Sequence, residues 1–118
     1  MPKSLYFQRP DIVTSQDLTA DPLSYTTSIS SAFRVSEVTV HFSVAVTETI
    51  TITKDSAKGS NYDTVKVNRS MVSEQDFVYR PQGDADYQAG DNLKIAITNA
   101  NVTGTAYVTI KTSELGSA

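Results

Sequence analysis

The run "SEVTVHFSVAV" (36–46) alternates for its whole length: Val38, Val40, Phe42, Val44 and Val46 are separated by Thr39, His41, Ser43 and Ala45. Side chains on a β-strand point to opposite faces with a period of two, so this pattern specifies a strand with one buried and one wet face. A strand of that kind must lay its apolar face against a second layer, which makes packed sheets the first expectation for the chain. Alternation resumes in "TITIT" (49–53) at Ile50 and Ile52. One strand over 37–54 would exceed the usual limit of about ten residues, so a turn or sharp bend is expected near Ala45 to Glu48.

Four further strand signals follow. "DTVKVNR" puts Val65 and Val67 on one face, and "DFVYRP" is stopped by Pro81, which cannot donate to a central ladder. "NLKIAIT" places Leu93, Ile95 and Ile97 together, "TAYVTIKT" does the same for Ala106, Val108 and Ile110, and "NANVTG" between them reads as a hairpin loop joining antiparallel neighbours. "QGDADYQAGD" (82–91) reads as a long connection. No stretch repeats apolar residues at helical spacing over several turns; the only helical signal is Ser73 to Asp76, where Ser precedes Glu and Gln. The expected fold is all-β, a single antiparallel β-sandwich, jelly-roll-like, in residues 33–118. Residues 1–32, polar and interrupted by proline, read as an extended N-terminal arm tied down either as extra strands or by neighbouring subunits.

Composition excludes several kinds of chemistry. Among 118 residues there is no cysteine, which removes thiolate metal sites, iron–sulfur centres and thiol nucleophiles. Ten Lys and Arg are scattered along a chain of net charge -3, which gives no basic stripe for nucleic acid. No apolar run has the length of a membrane span. The sole histidine, His41, sits mid-strand with no nucleophile motif, so no catalytic set is assigned and no enzyme is expected.

Two acidic loops are the candidate ligand sites. Asp55, Asn61 and Asp63 surround Gly59 in "DSAKGSNYD", and Asp84, Asp86 and Asp91 punctuate the second loop. Calcium takes six to eight oxygens at fixed offsets, and neither loop has that spacing, whereas Asp, Ser, Gly and Asn are turn formers by mechanism. The loops are therefore expected as connections, with no metal and no cofactor assigned. If they lie at the same end of the sandwich, a joint site gains ground. Tyr62, Tyr79 and Tyr87 lie in or beside these loops and could serve as platforms for a glycan, although tyrosine also fills cores and interfaces.

The stretches "HFSVAVTETITITKDSAKGSNYDTVKV" and "GDNLKIAITNANVTGTAYVTI" together resemble small β-sandwich virion proteins of tailed bacteriophages. In those a Thr-rich strand enters an "S-x-x-G-x-x-Y-D-T" loop, and a later "G-D-x-L" opens the closing hairpin. The resemblance covers residues 36–111. It implies a capsid decoration or cement protein, made in the bacterial cytoplasm and carried in the virion. The implied partners are other virion proteins, the major capsid protein first, and further copies of the chain, with a trimer by analogy. A tail, collar or fibre component is the alternative within that class; a soluble calcium- or glycan-binding module is the rival outside it. For the arm, Leu5, Phe7, Ile12 and Val13 are the candidate subunit contacts, because an extended segment can pair with a neighbour's sheet edge.

Overall fold

A computed structural model describes residues 4–83 and 85–117, and the side chains of 7–83 and 85–114. Ten strands follow in order: β1 (Ser4–Gln8), β2 (Ile12–Asp17), β3 (Leu23–Thr26), β4 (Phe33–Val46), β5 (Thr49–Asp55), β6 (Thr64–Ser70), β7 (Glu74–Tyr79), β8 (Asp86–Tyr87), β9 (Asn92–Ile97) and β10 (Thr105–Ser117). They form two antiparallel sheets. In the first, β10 and β4 are central, β1 and β2 lie along the free side of β10, and β7 and β8 lie along the free side of β4. The second runs β3–β9–β5–β6.

Each split edge is broken beside a proline, Pro10 between β1 and β2 and Pro81 between β7 and β8. Proline has no N–H for a ladder, so it falls where an edge tolerates the gap. With each split edge taken as one strand, the chain has eight, which pair first with eighth, second with seventh, third with sixth and fourth with fifth. This is one long hairpin rolled over so that its arms interleave in two sheets, the jelly-roll topology. The N-terminal arm is tied down within its own chain: β1 and β2 pair with β10, and β3 pairs with β9.

The inward side chains follow the alternation. Val38, Val40 and Phe42 of β4 and Ala106, Val108 and Ile110 of β10 are buried opposite Ile50 and Ile52 of β5 and Leu93, Ile95 and Ile97 of β9. The expected bend is present, with β4 ending at Val46 and β5 starting at Thr49. β4 is nevertheless 14 residues long, because its buried set extends back to Phe33 and Val35 and it serves β8, β7 and β10 in turn.

Four local expectations are corrected. β9 and β10 are not neighbours: they lie in different sheets, and the loop between them turns the chain across the core, with Val102 at φ 49 and Gly104 at φ 79. Residues 73–76 form no helix; Ser73 has φ 50 and β7 starts at Glu74, whose carboxylate accepts the Val72 N–H. The period-two set Phe77 and Tyr79 requires a strand there. Val65 does not join Val67 at the core, because a bulge at Lys66 shifts the register from Ile52↔Val67 to Thr53↔Val65 and turns Val65 outward. Tyr87 belongs to the core, buried in β8 rather than presented by a loop.

A second bulge lies at Ser36 on β4, where the register passes from Lys111↔Glu37 to Thr112↔Val35. Opposite it Thr112 continues the inward positions Ala106, Val108 and Ile110 of β10, and its hydroxyl is buried with no hydrogen-bond partner. A buried hydroxyl without a partner costs about 1–3 kcal/mol. Thr112→Val keeps the branched shape and removes that cost, so a urea titration should show stabilisation by about 1 kcal/mol.

Candidate functional site

The rolled topology sends the connections β3–β4, β5–β6 and β8–β9 to the same end of the sandwich. The two acidic loops of the sequence therefore meet, through residues other than those that first drew attention. Asp91, in the loop just before β9, is the link: its carboxylate accepts the N–H of Ala57 at 2.8 Å and that of Gln88 at 3.0 Å. Lys54 reaches the same carboxylate at 3.7 Å and lies over the Tyr87 ring, 5.4 Å from its centre. Gly90, at φ 92, makes the approach feasible, since a Cβ there would stand 2.9 Å from that of Ala57.

Beside this link is an open cleft of about 430 Å³, with Lys54, Lys58, Tyr62, Gln88 and Asp91 on its walls. Tyr62 belongs to a single turn of 3-10 helix, Ser60–Tyr62, and is 63% exposed at the lip. Gly59 enters that turn at φ 112, a conformation L residues avoid.

The residues first considered as ligands are dispersed over other tasks. Asp63 accepts the Ser56 N–H at 2.8 Å and closes its own loop. Asp86 pairs with Arg34 at 2.7 Å on the first sheet. Asn61 is exposed in the 3-10 turn, Asp55 ends β5 opposite Asn92, and Asp84 lies outside the described residues. Among the described residues no group of three His, Asp or Glu side chains is placed to hold a metal ion.

Burial pushes the Asp91 carboxyl up, but the Ala57 and Gln88 N–H groups and the Lys54 ammonium outweigh it, and the group sits below its ordinary value. A carboxyl lowered by folding contributes stability that is full above its unfolded pKa and is lost as pH falls through the folded one. Stability should therefore drop below about pH 4, where the carboxyl of an unfolded chain titrates. In Asp91→Asn that part of the acid slope should flatten, with a loss of about 2 kcal/mol at neutral pH. Urea midpoints measured from pH 2 to pH 7 check both.

Of the candidate subunit contacts, Phe7 is 55% and Val13 71% exposed, while Ile12 packs against the core. Leu5 lies on β1 opposite Gly116. The free edge of β1 and β2 thus carries exposed apolar side chains beside unpaired backbone groups.

The outward face of the same sheet holds a further set that the sequence did not bring together. His41 Nδ1 and Asp76 Oδ1 are 2.6 Å apart, and the His41 and Tyr107 rings stack at 6.4 Å. One ladder step pair further along, Arg80 and Lys111 flank Glu37 at 2.8 and 4.0 Å. Hydrogen bonds from Arg80 and Thr39 hold the Glu37 carboxyl below its ordinary value. Asp76 was not recognisable as the partner of His41, because their pairing depends on the β4–β7 register. Both side chains are on an open face rather than in a cleft.

No protein-family model matches the chain, and no curated protein matches it either.

Proposed function

We propose that this chain is a structural protein of a tailed-bacteriophage virion, a decoration or cement subunit that stabilises a capsid through sheet-edge contacts. The observation that carries it is the open edge formed by β1 and β2, where Phe7 and Val13 are exposed on a jelly roll. Jelly rolls recur among viral capsid domains, and an exposed edge offers backbone hydrogen bonds to a neighbouring shell protein while alternate side chains set the register. The resemblance over residues 36–111 supplies the virion assignment. The anchors in this reading are Phe7 and Val13, with Ile12 holding the edge to its own core.

The test is occupancy on purified particles. Phe7→Asp and Val13→Asp change exposed side chains, so both variants should fold, and both should lower occupancy at least about tenfold. Unchanged occupancy would overturn the edge contact, and absence of the wild-type chain from particles would overturn the virion assignment. A glycan-binding module is favoured by one observation, the exposed Tyr62 beside the polar groups of the end cleft. Calorimetry with a glycan panel decides it: binding abolished by Tyr62→Ala, in a chain that never enters particles, would replace the leading proposal.

A further inference from the structure

The ladder registers arrange the outward side chains at the middle of the first sheet in three adjacent rows across its strands. Ser15, Tyr107, His41 and Asp76 form the first, and Val13, Thr109, Thr39 and Val78 the second. Lys111, Glu37 and Arg80 form the third, tied by their ion pairs. The middle row is apolar or β-branched, with Val13 71% and Val78 44% exposed. The first row carries one carboxylate, that of Asp76. The third carries two cations and one carboxylate, a net positive charge.

We propose that this face is a self-association surface, on which a second copy of the chain packs face to face about a two-fold axis running along the row Val13, Thr109, Thr39, Val78. Rotation about that line lays the middle row on itself and brings each first row over the other copy's third row. Arg80 then meets Asp76 of the second copy, Lys111 meets the Tyr107 ring, and Glu37 meets His41. Each contact occurs twice, as an isologous interface requires. Arg80 gives its Nε to Glu37 in its own chain, and the remaining guanidinium donors can bond the opposing carboxylate. A lysine over a tyrosine ring adds a cation–π contact. The other in-plane two-fold, along the strands, sets each row against its own copy and so opposes like net charges.

Stacked sheets pack about 10 Å apart, which side chains of these sizes fill. The patch covers on the order of 350 Å², below the roughly 800 Å² per partner of a standard stable interface. The dimer is therefore weak, and forms at high concentration or where copies are held side by side. Self-association follows from the face alone and holds whether or not the chain belongs to a virion.

Sedimentation equilibrium of the full chain, up to about 1 mM, tests it. A reversible dimer is expected for wild type. Val78→Glu and Val78→Lys each place like charges against each other across the axis, so each alone should weaken the dimer at least about tenfold. Mixed in equal amounts they should restore it, because residue 78 faces residue 78. Unfolding midpoints close to wild type keep the readout on association. A wild-type chain monomeric at the highest concentration, single variants that dimerise normally, or a mixture that stays monomeric would each overturn the proposal. Rescue of Val78→Glu by Val13→Lys in place of Val78→Lys would overturn it in favour of the axis along the strands.

Discussion

Replacing Phe33 with alanine should lower the unfolding free energy by about 4–5 kcal/mol, near the upper end for a buried aromatic. Phe33 is fully buried at the first residue of β4, where three pieces of the first sheet converge: it is paired in register with Tyr87 of β8 and with Glu114 of β10. Its ring stacks on that of Tyr87 at 4.7 Å and 18°. Truncation therefore opens a cavity and also removes a stacked aromatic pair worth about 0.5–1.5 kcal/mol beyond area burial. A chain of 118 residues has roughly 6–18 kcal/mol in total, so the variant should fold with a sharply lowered urea midpoint. Phe33→Leu, which refills most of the volume, should recover more than half of the loss. A double-mutant cycle with Tyr87→Leu should return a coupling of about 1 kcal/mol. A loss below about 1.5 kcal/mol for Phe33→Ala would mean that this corner collapses without harm.

The second large effect is expected at Glu48, a buried carboxylate at the opposite end of the sandwich. It accepts the Thr98 hydroxyl at 2.7 Å and the N–H groups of Ala100 and Asn101, both at 2.9 Å. These donors belong to the loop that carries the chain from β9 in one sheet to β10 in the other. Removing the acceptor strands three donors, so Glu48→Ala should cost about 3 kcal/mol. Glu48→Gln should fall between, because one of its two acceptor positions becomes an NH₂ group facing another donor. Hydrogen exchange gives the local readout: the amides of Ala100 and Asn101 should exchange much faster in Glu48→Ala, ahead of those in the β4–β10 ladder. Equal acceleration throughout would show that the loop has no stability of its own and that Glu48 acts only on global unfolding.

The central strands were legible because the period of two is written into their residue types, whereas β1 to β3 and β8 alternate too weakly or are too short to carry it. β4, β5, β9 and β10 follow from their Val and Ile positions alone. Pairing was less legible, since it depends on which strands share a sheet. A seven-residue loop (98–104) with two positive-φ positions can close a hairpin or cross the core, and the alternation of its flanking strands is the same in both cases. Bulges act in a similar way: Val65 has the residue type of an inward position, and only the extra residue at Lys66 turns it out. At the end cleft, Asp55, Asp63 and Asp86 drew attention by composition, while Asp91 joins the two loops because it accepts N–H groups 34 and 3 residues away. Contacts at such separations leave no local pattern. The same holds for Glu48, which in the sequence is only one acidic residue in a Thr-rich stretch.

The pairing of β1 and β2 with β10 also sets a schedule for making the protein. The register runs from Ser4 opposite Ser117 to Asp17 opposite Thr105, so the first strands of the jelly roll find their partners only in its last strand. β10 must be made before the sheet edge can close, and until then β4 lacks its central neighbour and exposes a long alternating strand. The jelly roll should therefore fold only once β10 is available, and as slowly as all-β chains dominated by distant pairings, on the order of milliseconds to seconds. A nascent chain stalled before Thr105 should remain sensitive to protease throughout, where a chain with locally paired strands would already show a protected core.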